Sequence, residues 1–340
     1  MRARVTFAMK VCGITAALAM MVTPMLGQAA KAAPSAGVAT HKTAKGWMVP
    51  RTVDGHPDFQ GYWTNATYTP FQRPADLGSK EFYTEKEAIE LENRLRNRFV
   101  NQPRADNHYD NRLWQDESYV KGISNRRTSM IFDPPNGRLP ALNARGQERA
   151  AKAAEEGRRR AAAESAQSRT LAERCITWGN EGPPMLGAAY NANLQIHQTG
   201  DAFVILHEMI HSARIVALNG KHQLPASVGY LGGNSVGHWD GDTLVIDTTN
   251  FADQPPLRDV YSSREMHVVE RLTRVDAETI LYRFTVEDPG TWTAPWSGEL
   301  MMKKFEGPIY EYACHEGNYG LPNILRGARA LEKAAKAAGN

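Results

Sequence analysis

The sequence predicts a mainly β protein: a lipocalin-like antiparallel barrel of about eight strands, with helical insertions and a C-terminal helix. Three observations carry that reading. From Tyr190 onward, short runs rich in β-branched and aromatic residues alternate with Gly, Asp and Asn turns at roughly ten-residue spacing. Gly61-Tyr62-Trp63 has the Gly-x-Trp that opens the first strand of barrels of this type. Stretches dense in Ala, Glu and Arg, and an Ala-rich end over Leu321–Ala338, have the composition of helices.

The chain of 340 residues opens on a targeting pattern. Arg2, Arg4 and Lys10 precede a mostly apolar run, Val11 to Leu26, and Ala30-Lys31-Ala32 offers a small-x-small cleavage site. This reads as a secretory signal peptide over 1–33, because the apolar run is short for a membrane span and contains Pro24. A soluble periplasmic protein is expected. Residues 1–33 hold four of the forty Lys and Arg and none of the thirty-seven acids. The mature chain is therefore close to neutral, and its charge gives no case for nucleic-acid binding. Nothing else is long and apolar enough to cross a membrane. Cys175 and Cys314 remain after cleavage, either as a disulfide or as two buried thiols.

Residues 34–50 read as a flexible leader and 51–340 as one barrel domain, with a helical insertion at about 80–175. Thr84 caps a helical pattern that runs to Phe99, and a second helical stretch covers about Ala144 to Arg174. Between them, the stretch from Asn125 to Arg138 reads as a short strand ending in a Pro-Pro-Asn-Gly turn. The barrel strands are expected at Asn193–Gln198, Ala202–Leu218, Ser235–Trp239, Thr243–Thr248, Met266–Val275, Thr279–Glu287, Ser297–Lys304 and Ile309–Cys314. Asp240-Gly241 between two of these runs supplies a hairpin turn.

His207-Glu208-Met209-Ile210-His211 matches H-E-x-x-H, a zinc-hydrolase pattern that needs its two His one turn apart on a helix. The flanks, Phe203-Val204-Ile205-Leu206 and Ile215-Val216, are β-rich, so a strand is favoured. On one strand the two His would stand about 13 Å apart, four residues at roughly 3.3 Å each, too far for one zinc. No Gly-x-x-His follows to supply a third ligand. In strand form, Glu208, Ser212 and Arg214 share one face and His207 and His211 the other. Whichever set points inward lines a pocket with ionisable groups.

Several further residues carry potential chemistry. His267 and Arg271 share a strand face, as do Glu270 and Arg274, with a cross-strand ion pair as the simple explanation for such charges. Tyr282 sits among apolar neighbours, where its phenol serves as a proton donor or as a satisfied core group. Tyr190 is assigned with Trp292, Trp296 and His267 to substrate binding, the two Trp as a wall within a Pro-rich loop. The sequence has no G-x-G-x-x-G after a strand, no P-loop and no G-x-S-x-G elbow, so neither a nucleotide cofactor nor a conventional serine hydrolase is supported.

Three stretches, His238 to Phe251, Glu287-Asp288-Pro289 with Pro295-Trp296, and Tyr310-Glu311-Tyr312-Ala313-Cys314-His315-Glu316-Gly317-Asn318-Tyr319, resemble a largely uncharacterised family of exported bacterial proteins. The similarity covers nearly all of the mature chain. The resemblance implies, through some relatives, cofactor-independent lyases, including decarboxylases of lignin-derived biaryls; it assigns no catalytic residue. The expected function is an exported lyase or isomerase without organic cofactor or metal, acting by acid/base chemistry on an apolar or aromatic small molecule. Glu208 or His211 is the base, Arg214 or Arg271 holds a carboxylate or a developing anion, and Tyr282 donates a proton. The alternatives are a non-catalytic periplasmic carrier and a zinc hydrolase using 207–211.

Overall fold

Alternation of buried and exposed side chains along successive strands closes this chain on itself. In the computed structural model, which describes residues 46–95, 97, 125–179, 181–187, 190–257 and 260–338, nine strands form a closed mixed barrel. The ring strands are β1 (Gly61–Thr64), β3 (Asn193–Gln198), β4 (Ala202–His207), β5 (Ala213–Leu218), β6 (Asn234–Asp240), β7 (Thr243–Thr249), β10 (His267–Asp276), β11 (Thr279–Glu287) and β12 (Trp296–Lys304). Pairing of β1 with β12, Trp63 opposite Lys304, closes the ring. A short strand, β2 (Ile131–Asp133), adds to β12 outside it, and β8 (Gln254–Leu257) with β9 (Val260–Ser262) forms a separate two-stranded ribbon. The targeting pattern and most of the leader lie outside the described residues.

Two expectations are corrected by the strand order. The ring has nine strands, not eight, and one neighbouring pair, β5 and β6, is parallel. Residues 219–233 carry the chain back along the barrel to make that pairing possible. Gly237 fits this seam because a Cβ there would come within 2.9 Å of Val216 Cγ1. The stretch Ile309–Cys314, read as a strand, is irregular. Its Cys314 is instead bonded to Cys175 by a disulfide, with Cα atoms 5.7 Å apart.

The barrel interior is an apolar core. Phe203, Ile205, Val216, Leu244, Ile246, Leu272, Ile280, Phe284 and Met302 converge there from successive strands. One end is closed by Phe59, Trp239 and His56, the last stacked on Trp239 with ring centres 4.7 Å apart. At the other end the long connections gather. The insertion contributes α1 (Glu85–Leu95) and α2 (Ala144–Ala161). The second helical stretch is therefore shorter than expected, and the chain from Ala162 to Arg174 continues as turns. Asn143 caps α2 by accepting from the Gly146 N–H at 2.9 Å, and its amide donates to Pro289 O, tying the helix to the 288–295 loop. Arg127 and Arg283 both reach the buried Glu299, which fastens the insertion to β12. The C-terminal helix α3 (Gly320–Ala338) buries no residue.

Candidate active site at the polar end of the barrel

The predicted single strand Ala202–Leu218 is two strands. β4 ends at His207, Glu208–Ser212 turns the chain, and β5 returns antiparallel. Ile210 and His211 take positive φ at the turn, which no helix or strand does. The expectation that His207 and His211 share a face is thereby overturned. His207 points into the barrel and is buried, whereas His211 is exposed and lies 3.1 Å from Tyr312 O through its Nδ1. Glu208 is neither on the inner wall nor opposite it: it sits in the turn, accepting from the amides of Asn191 at 2.6 Å and Asn193 at 3.0 Å. The H-E-x-x-H match thus spans a strand end and a tight turn, and among the described residues no His, Cys, Asp and Glu group of three or more could hold a metal.

The inward groups are His207 and Arg214, diagonal neighbours on adjacent strands, since Ile205 lies opposite Arg214. Arg214 anchors a buried polar layer. Its Nε donates to Ser235 Oγ at 3.1 Å and its Nη1 to Glu270 Oε1 at 3.0 Å. Its Nη2 donates to Thr248 Oγ1 at 3.0 Å and also to Glu270 Oε2. Glu270 in turn accepts from the Tyr282 hydroxyl at 2.6 Å, and that hydroxyl accepts from the Met185 N–H at 2.7 Å. Glu270 and Tyr282 lie on adjacent strands β10 and β11, both on the inward set. Of the five N–H donors on a guanidinium, four of Arg214's are used by these partners, leaving one on Nη1.

Electrostatics divides the layer into roles. Burial opposes charge on Arg214, but the charge and hydrogen bonds of Glu270 hold its pKa above the ordinary value. Burial, reinforced by Glu270, raises the Tyr282 phenol well above its usual range, and Arg214 partly offsets this. Burial, with the Arg214 charge beside it, depresses His207 to about 3. His207 is therefore neutral at neutral pH. Its Nε2 is buried with no hydrogen-bond partner among the described residues.

The remaining predicted residues lie elsewhere. Arg271 is exposed on the outer wall and pairs with Asp240 at 2.5 Å. His267 is also outside, 2.8 Å from Asp247, which is shared with His222. Its pKa is raised, chiefly by the Asp247 hydrogen bond. Trp292 and Trp296 are no open wall: both are buried and pack edge to face on one another, with ring centres 5.6 Å apart. Tyr190 lies half-buried in the segment before β3. Arg274 does not pair with Glu270; it donates to Asp58 O at 2.6 Å and lies over the Trp63 ring. Sequence reasoning thus brought Arg214 and Tyr282 into one site but missed Glu270, the group that joins them. The available signal was its place on an alternating strand: Val268, Glu270 and Leu272 recur at period two, so Glu270 faces the same side as two core residues.

No family model, no curated protein and no solved structure matches this chain.

Proposed function

We propose that the chain is an exported, periplasmic enzyme whose reactive groups are Arg214, Glu270, Tyr282 and His207, and that it uses its barrel in a lipocalin-like way, with the polar end of the interior receiving the substrate. The reaction class is acid/base lyase chemistry without an organic cofactor, of which decarboxylation of an apolar aromatic acid, including a lignin-derived biaryl, is the leading case. The observation that supports this reading is the placement of a neutral, unpartnered His207 Nε2 beside the buried Arg214–Glu270–Tyr282 array. A guanidinium with a spare N–H receives a carboxylate, and a dry layer strengthens that contact. As the C–C bond to the carboxylate breaks, its electron pair stays on the ring carbon and takes the Tyr282 proton. The phenolate so formed carries the one negative charge that the substrate carboxylate brought in, beside the Arg214 guanidinium, until a proton from solvent restores it. The Cys175–Cys314 disulfide supports an oxidising compartment.

The test is turnover of a panel of aromatic carboxylates, biaryls included, followed as CO2 release. Tyr282→Phe and His207→Gln are expected to fold, by circular dichroism, and to lower kcat by at least ~100-fold, the scale of a positioned acid or base. The reading fails if the unmodified protein consumes none of the panel, or if both variants turn over at the original rate.

A further inference from the structure

Away from the barrel interior, a cleft of about 510 Å3 lies between α2, the segment 165–174 and the β8–β9 ribbon. That volume is within the range of small-molecule sites. Its charged lining is one-sided: Arg149, Lys152, Arg159, Arg160, Arg169 and Arg174 against Glu156 and Asp253. Three of these cations are compensated. Arg149 lies 3.5 Å from Asp253, Arg159 2.8 Å from Glu164, and Arg169 pairs with Glu173. Lys152, Arg160 and Arg174 have no acidic partner among the described residues. Set against Glu156, they leave two positive charges uncompensated. The cleft also concentrates unsatisfied buried groups. The Nε atoms of Arg149, Arg160 and Arg169 and the Oγ of Ser262 are buried without a hydrogen-bond partner among the described residues. Leaving a buried donor unmade costs about 1–3 kcal/mol, more for a charged group, so these are groups for an acceptor to satisfy.

We infer that this cleft binds a small organic or inorganic anion carrying two or more negative charges, an oligocarboxylate or a phosphate ester. Two surplus charges match a dianion. Cations arriving from both walls, α2 on one side and 165–174 on the other, favour a ligand with charge at both ends over a single carboxylate. Guanidinium groups suit either acceptor, because their planar donors bond oxygen pairs. The site is independent of the reaction proposed for the barrel, and the segment that forms one wall is held in place by Cys175 and by Arg329, which donates to Glu164 O at 2.9 Å.

The test is titration calorimetry on the disulfide-intact protein at fixed ionic strength, with citrate, pyrophosphate and acetate as probes. Citrate or pyrophosphate is expected to bind below millimolar and acetate not to bind; which of the two is tighter distinguishes a carboxylate from a phosphate site. Arg160→Gln and Arg174→Gln should each weaken binding about tenfold, the loss of one charged hydrogen bond, while Arg138→Gln, an exposed cation elsewhere, leaves it unchanged. No binding of either multivalent anion, or equal weakening by Arg138→Gln, would overturn the inference. Hydrogen exchange on the unmodified protein gives a second readout: saturating pyrophosphate or citrate should slow exchange across 149–174 and not along β10. Absent or uniform protection counts against the site.

Discussion

Two arginine clusters in this molecule differ in how their charges are met. Inside the barrel, Arg214 faces one carboxylate squarely and two hydroxyls, and nearly every donor is assigned. In the outer cleft, among the described residues, three cations have no acid and three guanidinium Nε atoms have no acceptor. The first arrangement is preorganised, with its charges fixed before any ligand arrives. The second is incomplete without one. The same residue type is therefore fully partnered in one place and left with open donors in the other, and the partner inventory separates them.

Breaking the inner cluster should cost most. Glu270→Ala leaves Arg214 charged and unpaired in a dry layer, so it is expected to lower unfolding free energy by about 3–5 kcal/mol, read by urea denaturation. A loss below about 1 kcal/mol would show that water reaches Arg214 and that the layer is not dry. The second effect is a pH dependence of the same layer. His207 has its folded pKa depressed to about 3 from 6.5. The unfolded chain takes up its proton first on acidification, so this stability is complete above pH 6.5 and is lost as pH falls toward 3. The slope approaches about 1.4 kcal/mol per pH unit from this one group. His207→Gln should flatten the profile between pH 6 and about 4 relative to the unmodified protein; an unchanged slope would place the imidazole in contact with water. The smallest effect belongs to the cleft: Arg160→Gln, at a side chain with no acidic partner among the described residues, should change stability by no more than about 0.5 kcal/mol. A large destabilisation would mean that Arg160 is structural after all.

How much of this was legible in sequence follows from the physics of each element. The barrel was, because one short run rich in β-branched and aromatic residues follows another between Gly and Asp turns, as in Thr243–Thr249 and Thr279–Glu287. The ninth strand and the parallel seam were not, because Ala202–Leu218 contains no Gly, Pro or Asn to mark its turn. Ile210 adopts positive φ there without a residue that favours it. That hidden turn shifted the register of every side chain after Glu208, which is why Arg214 lies on the inward side with His207 rather than on a face shared with Glu208 and Ser212. Glu270 was hidden for another reason: Arg274 stood at helical and strand spacing as an obvious partner, while the real partner lay fifty-six positions away in sequence. The cleft was illegible because Arg158-Arg159-Arg160 reads as a solvated helix face. Only the return of 165–174 against α2 gives that charge a concave setting.

The closure of the ring also constrains how the chain is made. The seam joins Trp63, in the first strand, to Lys304, near the end of the last. During synthesis, β1 can pair with β3 long before β12 exists, so one of its edges stays open until almost the whole chain has emerged. An open β edge is a template for another chain. Folding before the last strand arrives would present that edge to every neighbouring copy, and the protein is safest held unfolded until the final strand is available to seal it.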